Sequence, residues 1–218
     1  MSFAGLLTAE AVHAAVRTEL EVVDAAHERL RATCTDLAGN AFRIEVAERL
    51  EAQLRTNRGL SYRMFGEIAA PVDGPDDSRL PAGVKVRDVL ASRLRLTAGE
   101  VNRRFRVAAR IRPRRSLTGP PVSPELPELA AAVESGDVGD DHIAAVCGAL
   151  DLLPASVSPT DRDKAERTLV RHAREQDSQF VTVIGQTIAD CLNPDGNFTD
   201  EDRAGGAGWF WDGRGPTA

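Results

Sequence analysis

Apolar residues in this chain recur at intervals of three and four, and no stretch shows the alternation of a half-buried strand. The first segment sets the pattern. Val12, Val16, Leu20, Val23, His27 and Leu30 form one stripe at helical spacing. Thr8 stands where it can cap that helix, and Glu10 suits its first turn. The pattern restricts the chain to an all-α architecture. Composition agrees: aromatics are only 5% against 42% hydrophobic residues. A core drawn from Ala, Val, Leu and Ile suits helix-on-helix packing.

The spacing predicts about nine helices. The first runs from Thr8 to Cys34. A second covers Asn40 to Thr56, with Ile44, Ala47, Leu50 and Leu54 on one face, and a short third covers Ser61 to Ala70, stopping at Pro71. PVDGPDDSRLPAG is a Pro/Gly/Asp linker. Two closely joined helices follow, VRDVLASRLRL and TAGEVNRRFRVAARI. Thr97 and Glu100 form a T-x-x-E capping box that starts the second of them at Ala98, and Pro113 ends it. Beyond SLTGPPVSPELP, Leu126–Ser135, His142–Leu153, Thr160–Gln176 and Phe180–Leu192 complete the set. The expected organisation is N-terminal helices at 1–70, a linker at 71–83, a helical core with a basic helix pair at 84–194, and a disordered tail at 195–218.

Charge is unevenly placed. Lys85 to Arg115 holds eleven basic residues against Asp88 and Glu100, a net +9, although the whole chain carries −6. The remainder therefore carries −15, and the chain as a whole is not a basic nucleic-acid binder. The local excess is a candidate footprint for phosphate backbones. The pair also resembles a helix-turn-helix, with Leu90, Ala91, Leu94, Leu96 and Val101 at its apolar and small positions. It departs from that motif at Arg95, where glycine is usual, and at Arg104, where an apolar residue is expected. The DNA-contact candidates are Arg103, Arg104, Arg106 and Arg110 on the groove-facing helix, with Arg93, Arg114 and Arg115 on phosphates. The competing reading is a solvated face whose arginines pair with acids elsewhere in the chain.

Other chemistry finds no support. His13, His27, His142 and His172 lack ligand spacing with each other or with cysteine, so no metal site and no cofactor are expected. NPDGNFTDED sets Asn197, Thr199 and Glu201 at alternate places after Asp195, as a calcium loop would, but its sixth loop position is Asp200 instead of glycine, and its twelfth is Gly206 instead of glutamate. GGAG follows no strand, and no G-x-S-x-G occurs. Three scattered cysteines suit reduced thiols in a cytoplasm. Neither a secretory signal nor a membrane-spanning run is visible.

RTNRGLSYRMFGEIA, LPAGVKVRDVLASRLRLTAGEVNRRFRVAARIRPRRSLTGPP, AAAVESGDVGDDHIAAVCGALDLLP, ERTLVRHAREQD and LNPDGNFTDEDRA together resemble the mycobacterial 13E12-repeat family, over roughly Asn40 to Ala204. The resemblance implies an N-terminal DUF222-like helical domain of unknown function, usually followed by an HNH nuclease domain that binds a divalent metal. It also implies a mobile-element context. This chain stops before any HNH segment, so no nuclease residue carries over. After DEDRA the family text runs like RRRGLVLGRQGPDGM, whereas this chain reads GGAGWFWDGRGPTA. Read one nucleotide earlier, the forced codons of Trp209-Phe210-Trp211-Asp212 yield Val, Leu and Gly. A frameshift near Arg203 to Ala207 is therefore expected to have produced the tail.

The expected function is a non-catalytic module that binds or targets double-stranded DNA, separated from its nuclease. The alternatives are a helical interaction domain that self-associates through the Val12–Leu30 helix, and a decayed mobile-element remnant.

Overall fold

The computed structural model describes residues 8–69, 83–113 and 122–193. They are all-α, with no β-strand among them. The eight helices are α1 (Ala9–Ala32), α2 (Asn40–Ala69), α3 (Val86–Leu94), α4 (Ala98–Ile111), α5 (Pro127–Ser135), α6 (Asp140–Asp151), α7 (Pro159–Ala173) and α8 (Ser178–Leu192). The expected linker, apart from Gly83, and the expected tail lie outside the described residues.

Eight replace nine because the second and third expected helices are one. The sequence around Gly59 reads as a break, since glycine costs about 1 kcal/mol in a helix interior. Here Gly59 is required for close packing instead. A Cβ at that position would sit 2.6 Å from the Val133 carbonyl oxygen, so only glycine lets α2 lie this close to the end of α5.

The chain divides into two units. The first holds α1, α2 as far as Glu51, and α3; the second holds the rest of α2 and α4 from Gly99 onward. In the first unit Thr8 Oγ1 accepts from the Ala11 N–H at 3.2 Å, which is the expected cap of α1. None of this unit's described residues is buried. α3 ends where Arg95 takes the left-handed conformation, φ 54° and ψ 42°, a place where glycine is cheaper by roughly 1–2 kcal/mol. The Arg95 N–H and the Leu96 N–H satisfy the last carbonyls of the helix.

The second unit contains the core. Tyr62 and Phe65 of α2 are buried, as are Val101, Phe105, Ala108 and Ile111 on one face of α4. Leu129 of α5, Ile143 and Val146 of α6, Leu169 and Val170 of α7, and Val181 of α8 are fully buried. α6 packs on α7 and α8, and α7 packs on α5 and α8. Gly185 allows the α6–α8 crossing, since a Cβ there would meet the Ala149 Cβ at 2.4 Å. α7 and α8 start on side-chain caps, Ser158 to the Asp161 N–H and Asp177 to the Phe180 N–H.

Candidate nucleic-acid interface

α4 begins at Ala98 and ends at Ile111, two residues before Pro113, as the capping box and the proline predict. Its apolar residues face the core, which leaves its arginines at the edges of that face and on the outer side. Arg103 turns inward along the core. Its Nε and Nη2 donate to both carboxylate oxygens of Glu100 at 2.7 and 2.9 Å, a bidentate pair one turn back. Its Nη1 donates to the Tyr62 hydroxyl at 3.3 Å, and Nη2 lies 3.5 Å from the Asp140 carboxylate. Arg104 Nε donates to Glu100 at 2.7 Å, and its guanidinium lies 5.8 Å above the Phe65 ring centroid. Its side chain is only 13% exposed. The aromatic platform on α2 accounts for an arginine at a position where the sequence pattern asks for an apolar residue.

Two further residues close this cluster. Tyr62, the only tyrosine in the chain, donates its hydroxyl to Asp140 at 2.7 Å. Arg58, one turn earlier on α2, meets the other oxygen of Asp140 at 2.8 Å. Asp140 itself opens α6, where a negative charge is favoured by the helix dipole. One network therefore ties α2, α4 and α6. Burial, followed by the bond to Asp140, pushes the Tyr62 hydroxyl well above the ordinary tyrosine range. The hydrogen bonds from Arg103, followed by those from Arg104, hold the Glu100 carboxyl down at about 2. Arg110 is engaged separately. Its Nε donates to Glu125 and its Nη1 to Asp151, both at 2.9 Å.

Three of the seven candidate arginines, Arg103, Arg104 and Arg110, thus spend their donors within the protein. Arg93 on α3 and Arg106 on α4 are exposed and form no ion pair among the described residues. Arg114 and Arg115 lie outside the described residues. Sequence reasoning missed Tyr62, Arg58 and Asp140, because nothing in their spacing links positions so far apart in the chain. It also missed Glu166, a buried carboxylate that accepts the Leu129 N–H at 2.9 Å and so satisfies the first turn of α5 from α7. Its desolvation raises its pKa. His142 donates from Nε2 to the Gln176 carbonyl at the α7–α8 turn, 2.9 Å away.

Among the described residues no three His, Cys, Asp or Glu side chains converge as metal ligands. No described helix is long and apolar enough to cross a membrane. Cys34 and Cys191 are exposed free thiols, and Cys147 is a half-buried one that burial raises to about 11.

The family model for the "Domain of unknown function (DUF222)" matches residues 44–213. The chain belongs to the DUF222 family. Its DUF222 segment takes in all of α3 to α8 and most of α2, and leaves α1 upstream of the match. An uncharacterized protein of Mycobacterium tuberculosis is 35% identical over 162 residues, which is 74% of this chain and 37% of the relative. Another from the same species is 39% identical over 132 residues, 61% of this chain and 29% of the relative. One from Mycobacterium bovis is 31% identical over 157 residues, 72% of this chain and 34% of the relative. The chain spans about a third of the length of these curated relatives. No solved structure matches it.

Proposed function

We propose that this DUF222 chain is a non-catalytic helical module whose N-terminal helices dock onto another polypeptide. The supporting observation is the uncovered stripe of α1. Val12, Val16, Leu20, Val23 and Leu30 are 43% to 58% exposed, and no residue of this helix is buried. A lone amphipathic helix is marginal in water, because helices gain most of their stability from packing an apolar face. A contiguous apolar patch of this kind on a soluble surface marks an interaction site. In dilute solution the chain is expected to bind an apolar reporter dye, and a Val16→Glu/Val23→Glu variant to lose most of that signal. A chain that binds no more dye than the variant would overturn the reading.

On the resemblance described above, we infer that the chain stands with the mycobacterial 13E12-repeat proteins in a cytoplasmic setting. A docking module of this kind would there position an HNH nuclease domain carried elsewhere. A second reading, binding to double-stranded DNA, is favoured by Arg93 and Arg106, which are exposed and without an ion pair among the described residues. Fluorescence anisotropy of a labelled duplex tests it. Salt-sensitive binding that Arg93→Ala/Arg106→Ala weakens supports it, with the salt slope falling by about one unit for each phosphate that is no longer neutralised. No binding at low salt refutes it.

A further inference from the structure

α1 carries two patterns that belong together. The first is the seam of Val12, Val16, Leu20, Val23 and Leu30, all exposed, with a half-buried His27 between Val23 and Leu30. The second lies along one flank of that seam, where Glu10, Arg17, Asp24 and Arg31 stand seven residues apart and alternate in sign. A seven-residue row stays beside the seam of a paired helix. Reversed in direction, this row is its own electrostatic complement.

We propose that α1 pairs antiparallel with α1 of a second copy of this chain. The proposal rests on the reading of α1 as an interaction surface. A two-fold axis midway between Leu20 and Val23 sets Val12 opposite the partner's Leu30, Val16 opposite the partner's His27 and Leu20 opposite the partner's Val23. In that register the flank rows meet each other. Glu10 faces the partner's Arg31 and Arg17 faces the partner's Asp24, and symmetry repeats each, which gives four pairs of opposite sign. A parallel pair would instead stack His27 on its own copy inside the seam. It would bring Arg17, Asp24 and Arg31 against the partner's Val12, Glu19 and Ala26, where Asp24 with Glu19 is a pair of like sign and no oppositely charged match forms. Arg31 now holds Glu28 at the surface, with both side chains more than 70% exposed, a pair weak enough to exchange. The interface is isologous, as closed dimers require.

The test uses the full chain with Cys34 and Cys191 replaced by Ser, Cys147 by Ala, and Ala11→Cys as the one spin-label site. Sedimentation velocity at tens of micromolar establishes the dimer, and double electron–electron resonance reads its direction. An antiparallel pair separates the two labels by about 30–35 Å, from a rise of 1.5 Å per residue, whereas a parallel pair holds them within about 20 Å. Val16→Glu/Val23→Glu is expected to be monomeric with an unchanged unfolding transition, since α1 contributes nothing to the core. A dimer with the short distance would overturn the antiparallel pairing and leave the docking function standing. A monomer at every concentration would overturn the second copy as the occupant. The dye experiment then decides the docking function on its own.

Discussion

Replacing Glu100 by Gln separates the two readings of the α4 arginines most sharply. The carboxylate accepts three charge-assisted bonds of 2.7–2.9 Å from Arg103 and Arg104. Hydrogen bonds to charged groups contribute about 1.5–3 kcal/mol when buried, and exposed ion pairs about 0–1. Glu100 and Arg103 are 26% and 31% exposed, and Arg104 only 13%. Gln keeps one accepting oxygen and loses the charge. The expected loss is therefore about 1–3 kcal/mol at pH 7, below the sum of three buried bonds. The sign with pH follows from the depressed pKa. The contribution is fully present above the unfolded carboxylate value of about 4.3, and it disappears as pH falls through about 2. Urea unfolding of wild type and variant at pH 7, 4 and 2.5 provides the assay. The gap between the two curves should be widest at pH 7 and narrow toward pH 2.5. A variant within about 0.3 kcal/mol of wild type at pH 7, or a gap that does not change with pH, would refute the internal pairing.

Two further outcomes follow from the core. Gly185→Val should destabilise the chain by about 1–3 kcal/mol through overpacking against Ala149, despite the loss of a helix-interior glycine; thermal unfolding reads it, and an unchanged midpoint would contradict the close α6–α8 crossing. Glu166→Gln keeps an acceptor for the Leu129 N–H and removes a carboxyl whose pKa is raised by burial. The wild type keeps its full stability only below the unfolded carboxylate value and loses it as pH rises through the raised one, so the variant should gain on it from pH 4 to pH 8. Unfolding curves that stay parallel over that range would be the contrary result.

The local code of this chain was legible. Thr8 capping α1, the start of α4 at Ala98 and its stop before Pro113 all depend on residues within one turn of each other. What failed depended on distance. Gly59 reads as a break until Val133 is known to lie against it. Arg104 reads as misplaced until Phe65, far back on α2, is found beneath its guanidinium. The basic stretch showed its charge in sequence but not its partners. Glu100 is near enough to be foreseen as a helical pair, while Tyr62, Asp140, Glu125 and Asp151 reach the arginines only through the fold. The α1 stripe was visible from spacing alone, but its being uncovered was not, because amphipathicity says that a face will be buried and leaves open by what.

That uncovered face is the centre of the account, and hydrogen–deuterium exchange across Ala9–Ala32 tests it most directly. A helix held only by its own hydrogen bonds exchanges quickly, and one packed against another chain does not. The α1 amides are expected to exchange fast in dilute protein, slow progressively as concentration rises, and return to fast exchange in Val16→Glu/Val23→Glu. Exchange in α1 that is as slow in the dilute monomer as in the concentrated protein would contradict it, whereas exchange that stays fast at every concentration would overturn only the second copy as the occupant.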